Sequence, residues 1–209
     1  MTDTSNKKQG KIRIKSEQKI LIAAQDEFIT HGYKGATVQS IADQAGLPKA
    51  NVLYYFKNKE NIYHAVLEQT LDMWDEGIGD IIYEDGPKVA IEKFVAAKVN
   101  MSFKAPKASK IYAMEIIQGA QHLKEFARTY LRKWVREKSK VFQQWINEGR
   151  MTEVDPVNLI FLIWSTTQHY ADFETQILTI MNRADYEEED IEHVTQFLTG
   201  FILKGLGIK

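Results

Sequence analysis

Two sets of residues in this chain have types and spacing that suit chemistry. The first lies in TVQSIADQAGLPKANVLYYF, residues 37–56. Thr37 is an N-cap type ahead of a short apolar-periodic stretch. Gly46 ends that stretch, and Pro48 suits the first position of the next helix, where no N–H is needed. Ile41, Ala42, Ala45, Leu47 and Val52 are the small and apolar residues that two crossing short helices require. The second helix then presents Lys49, Asn51, Tyr54 and Tyr55. These are a cation for phosphate, an amide matched to a base edge, and two phenols for phosphate or thymine-methyl contacts. A short helix with that face fits a major groove about 12 Å wide. The same pattern also suits a small helical subdomain with a merely solvated face.

The second set is Trp164 and Gln168, four apart and therefore on one helical face. An indole plane beside a carboxamide suits a flat heterocycle with alternating C=O and N–H groups, because the amide donates and accepts at once. Trp74 is a candidate second wall and Met114 a deformable floor. A packed helical core is the alternative for such aromatics. No catalytic constellation accompanies them: Ser165 and His169 are four apart, but no third partner or oxyanion element follows. The five histidines (31, 64, 122, 169 and 193) form no H-E-x-x-H spacing, so no metal site is expected, and nothing calls for a cofactor.

Composition narrows the setting. The 209 residues are 44% hydrophobic and 26% charged, ordinary for a globular chain, and the absence of cysteine excludes thiolate catalysis and disulfides. The net charge of -1 divides unevenly, +4 over residues 1–60 and -5 over the rest, as for a polyanion-binding module on an acidic body. The apolar runs are too short to span a bilayer, and the polar, basic start MTDTSNKKQGKIRIK has no apolar segment of the secretory kind. A cytoplasmic location without membrane attachment is the expectation.

Apolar residues recur at helical spacing throughout, which predicts an all-α chain of about nine helices. Residues 1–15 read as a flexible basic arm. Helices are expected at about 16–31, 37–45, 48–55, 60–82, 88–104, 107–118, 122–148, 156–181 and 188–205, with Gly77 and Gly79 loosening the end of the fourth. The last two are apolar on more than one face and must be covered on more than one face. They are the expected dimer interface, with Gly200 allowing close approach.

The run from Ala24 to Lys59 resembles the DNA-binding domain of the TetR family of one-component transcriptional regulators. Phe28, Gly32, Tyr33, Thr37, Ile41, Ala42, Ala45, Gly46, Lys49, Tyr55, Phe56, Asn58 and Lys59 carry the resemblance. It implies that Thr37 and Lys59 hold phosphates at the two ends of the motif. It also implies that Gln39, Lys49, Asn51, Tyr54 and Tyr55 face the groove. Pro48 stands where a serine is frequent, and Leu53 where a tyrosine is frequent, which removes one phenol from the DNA face. The stretches LYYFKNKENIYHAVLEQTLDMW, KASKIYAMEIIQGA and DPVNLIFLIWSTTQHYADF are similar to a pyrimidine-responsive branch of that family. The resemblance implies a helix-turn-helix domain at 16–60 and an effector-binding, dimerising domain at 61–209. The expected protein is a homodimeric repressor on a palindromic operator, tuned by a small planar heterocycle such as uracil or a related pyrimidine or purine base, and not an enzyme. The alternatives are a regulator of this kind with an unrelated small hydrophobic effector and a helical enzyme acting on a nucleobase.

Overall fold

The computed structural model describes the backbone of residues 3–77 and 81–209, and the side chains of residues 13–74 and 81–209. Ten helices are present among the described residues, and no strand. The first, α1 (Asp3–Gly35), carries a break at Gly32, whose φ of 66° lies in the left-handed region. The expected arm at 1–15 is thus helical from Asp3 onward. Its Lys, Gln and Arg residues are good helix formers, and Arg13 Nε donates to Glu17 Oε1 at 2.9 Å one turn on.

Three helices complete the N-terminal unit: α2 (Val38–Ala45), α3 (Lys49–Phe56) and α4 (Lys59–Gly77). Gly46, at φ 65° and ψ 34°, makes the left-handed turn between α2 and α3 that a side chain would oppose. Pro48 precedes α3 in extended conformation instead of forming its first residue. The fourth helix is expected to reach residue 82, but residues 81 and 82 are not helical, and Gly79 falls within residues 78–80, outside the described residues.

After a 3-10 turn at Tyr83–Asp85 follow α5 (Gly86–Lys104), α6 (Pro106–Ile117) and α7 (124–147). A π-helical turn at Ala127–Leu131 interrupts α7. The long helix expected at 156–181 is two, α8 (Pro156–Asp172) and α9 (Glu174–Met181), and α10 (Glu188–Gly205) closes the chain. No glycine or proline marks the break at Phe173. The residues beside it are fastened to α6, where Ser109 donates to Asp172 Oδ1 at 2.6 Å and Lys110 pairs with Glu174 at 2.5 Å.

Two cores hold these helices. One is built on α5, whose Ala90, Ile91, Phe94, Val95 and Val99 meet Phe142, Trp145, Ile160, Ile163 and Leu198. The other joins α1 to α4 through Ile20, Phe28, Ile41, Val52, Ile62 and Leu67, and it also takes in Ile111 of α6 and Leu123. Each large side chain so buried contributes about 1.5–3 kcal/mol of transfer free energy. The N-terminal unit is therefore packed onto α6 as well as carried by α4.

Candidate functional site

The helix-turn-helix forms because its polar ends are satisfied locally. The Thr37 hydroxyl accepts from the Ser40 N–H at 3.0 Å, capping α2. The buried Glu27 carboxylate accepts from the Thr37 N–H at 3.3 Å and from Gln44 Nε2 at 3.0 Å, fixing the entry of α2 against α1. In α3 only Val52 is buried, so Lys49, Asn51, Leu53 and Tyr54 all face outward. Tyr54 is 78% exposed and meets Tyr55 edge to face at 5.4 Å. Tyr55 is half-buried against the second core, so its ring also packs the motif. Gln39 is exposed, with its amide donating to Asp43 Oδ1 at 2.9 Å.

Lys59 is placed differently from the phosphate ligand that resemblance implied. Its ammonium donates to the carbonyls of Tyr33 at 2.7 Å, Ala36 at 2.9 Å and Lys34 at 3.4 Å. It also stands 4.8 Å from the centre of the Tyr33 ring. Tyr33 and Lys34 lie in the last turn of α1 and Ala36 just beyond it, so their carbonyls have no intrahelical donor, and the first side chain of α4 satisfies them.

A cavity of about 270 Å³ opens between α4, the π-helical turn, α7 and α8. Trp74, Trp164, Trp134, Phe126, Tyr130, Leu71 and Leu131 form its walls, with the exposed carboxylates of Glu68 and Asp72. The structure thus brings Trp74 and Trp164 into one cavity. Met114 and Gln168 are half-buried and lie outside that lining. The α6 residue against Trp74 is Tyr112, whose ring meets the indole at 4.2 Å. Gln168 sits one turn, about 6 Å, along α8 from Trp164, whereas Trp134 closes on α8 at the level of Trp164, 5.8 Å ring to ring.

Sequence reasoning missed Phe126, Tyr130 and Trp134. The π-helical turn that presents Phe126, Tyr130 and Leu131 has no signature in ordinary helical periodicity, and such turns recur at functional sites. The indole Nε1 of Trp164 is buried without a hydrogen-bond partner. Behind Trp74, the Lys98 ammonium lies 5.0 Å from the ring centre and the residue is only 3% exposed. Burial pushes Lys98 down to about 8, against a smaller opposing effect of Asp172.

A third cluster joins the two units. Glu60 and His64, one turn apart on α4, approach His122 from the turn after α6, with one ligand atom from each within 4.8 Å of the others. His122 Nδ1 lies 3.3 Å from the Glu115 carboxylate, which is buried and also accepts from the Tyr63 hydroxyl at 2.8 Å. Linear spacing missed this group because His122 is 58 residues from His64 in the chain and meets it only in the fold.

Comparison with known proteins divides the chain within α4. Residues 20–66 match the family described as bacterial regulatory proteins, tetR family, and residues 67–209 match the YcdC-like protein C-terminal region. The HTH-type transcriptional regulator RutR of Escherichia coli K12 is 35% identical over 90% of this chain and 88% of its own length. Among solved structures, the ketosteroid transcriptional regulator KstR2 of Mycobacterium tuberculosis superposes with a TM-score of 0.74 at 19% identity, over 91% of this chain and 94% of that one. AibR in complex with isovaleryl coenzyme A and operator DNA gives 0.67 at 17% identity, over 89% and 97%. These last two likenesses are of fold.

Proposed function

Because this chain belongs to the TetR family of transcriptional regulators, we propose that it is a homodimeric repressor whose operator binding is controlled by a small planar heterocycle, uracil or a related pyrimidine or purine base. The observation that carries this reading is the cavity walled by Trp74 and Trp164. Its volume of about 270 Å³ lies just below the range of ligand sites, about 300–1,000 Å³, and its aromatic walls favour a small flat ring. The buried, unpartnered Trp164 N–H supplies a donor to a ring carbonyl once the indole turns toward the cavity.

The helix α4 links ligand to DNA. It begins at Lys59, beneath the reading head, and reaches Trp74 in the cavity wall, about 22 Å away at about 1.5 Å per residue. Displacing its Trp74 end tilts the head and alters the spacing of two recognition helices that must match about 34–36 Å along the groove. The ligand acts only through its different affinities for the two spacings.

Two such heads require a dimer, and α8 and α10 supply a face for one. Phe161, Leu162, Phe197 and Phe201 are 46–68% exposed in the single chain. A side chain added at Gly200 meets nothing within 4 Å of its own chain, so that surface is open for a partner helix. No helix of the described residues is long and apolar enough to cross a membrane.

The test begins by selecting an operator from random DNA with the purified protein. Uracil, thymine, xanthine and uric acid are then titrated into the labelled complex while anisotropy is read. A palindromic operator released by at least one of these bases supports the reading. Release by none of them, with no rise in melting temperature, rejects a nucleobase effector.

A further inference from the structure

We propose that Glu60, His64 and His122 form a binding site for a divalent transition metal of the zinc class, which ties the DNA-reading unit to the effector-binding body. Two imidazoles and one carboxylate are a ligand set that zinc and its neighbours take, leaving one position for water. Donor atoms around a tetrahedral metal at about 2.1 Å stand about 3.4 Å apart. The observed group spans at most 4.8 Å. Closing that gap needs only side-chain rotation of Glu60 and His64, which are 60% and 43% exposed.

The surroundings of His122 are arranged for this task. Its Nδ1 faces the Glu115 carboxylate at 3.3 Å, which leaves Nε2 as the nitrogen available to a metal. A carboxylate behind a ligating imidazole fixes the tautomer and raises its basicity, and such partners commonly strengthen binding 10–100-fold. Glu115 is only 4% exposed and is itself held by the Tyr63 hydroxyl and by the His122 N–H at 2.7 Å. The rings of Tyr33 at 5.1 Å and Tyr63 at 4.9 Å wall the imidazole in, and His64 meets it edge to face at 5.1 Å.

The position gives the metal a consequence. Glu60 and His64 stand in the opening turns of α4, next to the Lys59 that caps α1. His122 lies four residues before Phe126 of the cavity wall. A metal here fixes the turn leading into that wall against the base of the reading head.

The experiment uses tag-free full-length protein stripped with chelator and titrated with Co²⁺, whose visible absorption intensifies when nitrogen and oxygen ligands replace water in a low-coordinate site. The expected result is an absorption band saturating at one equivalent per chain, with Zn²⁺ displacing the Co²⁺ and raising the melting temperature. His64→Gln and His122→Gln abolish the band, and Glu115→Gln weakens binding at least tenfold. His193→Gln, at an exposed histidine outside the cluster, leaves it unchanged. Circular dichroism of each variant establishes that it is folded. No band in the wild type, or a band retained in folded His64→Gln and His122→Gln, overturns the proposal.

Discussion

The Lys59 ammonium stands 2.7 Å from the Tyr33 carbonyl oxygen, so the first side chain of α4 closes the broken end of α1. Removing it leaves the part-buried carbonyls of Tyr33 and Ala36 without that donor. Lys59→Ala is expected to lower stability by about 1–3 kcal/mol, the range for hydrogen bonds to charged groups and for orphaned acceptors. Lys49 is exposed at the start of α3. Lys49→Ala should leave stability unchanged while reducing the slope of log K against log salt by about one, through loss of one phosphate contact. Urea denaturation and salt-dependent anisotropy of both variants separate the two roles.

Asn51 lies on the outer face of α3, beside Tyr54. Asn51→Ala is expected to cost about 1–3 kcal/mol on the selected operator and much less on random DNA. Equal losses on both would remove it from base reading.

Trp164→Phe keeps an aromatic ring in the wall and removes the unpartnered N–H together with part of the indole. Operator affinity without ligand should stay within twofold of wild type, while the effector concentration needed for release rises about tenfold, as for loss of one hydrogen bond of about 1.4 kcal/mol. Gln168→Leu, outside the cavity lining, should leave the release concentration unchanged. A large effect of Gln168→Leu with none of Trp164→Phe would move the ligand one turn along α8, to the level of Gln168.

Lys98 makes stability depend on alkaline pH. Its ordinary value of 10.5 falls to about 8 in the fold because burial disfavours the charged ammonium. Between those values the unfolded chain binds the proton and the folded chain does not, so stability rises with pH across about 8–10.5. The full effect is about 3 kcal/mol at about 1.4 kcal/mol per tenfold. Lys98→Met should remove that rise and make the protein more stable at neutral pH, since an apolar side chain avoids the cost of burying a charge. Chemical denaturation at pH 7, 8, 9 and 10 measures it.

Phe197 and Phe201 stack at 6.3 Å on the exposed side of α10. Phe201→Glu places a charge on that face and should shift the protein toward monomer or aggregate in light scattering. It should also lower operator affinity, because two linked heads bind more tightly than one.

What the sequence by itself determined was local. Thr37, Gly46 and Val52 specify the helix-turn-helix because a cap, a left-handed turn and a buried crossing are properties of a few neighbouring residues. Alternation of apolar faces likewise placed most helices, and Trp74 and Trp164 were legible as aromatic walls. Only the tertiary structure decided which groups those elements bring together. It assigned Lys59 to the end of α1, since the carbonyls it satisfies lie 23–26 residues earlier in the chain. It lined the cavity of Trp74 and Trp164 with Trp134 and the residues of a π-helical turn, and with neither Met114 nor Gln168, because a lining depends on how helices cross and on a turn that 3.6-residue periodicity does not encode. The break at Phe173 was hidden for a related reason. Ser109 and Lys110 hold the two sides of that break from another helix, and no residue within 156–181 records their pull. His64 and His122 meet for the same reason: proximity between distant residues is a property of packing.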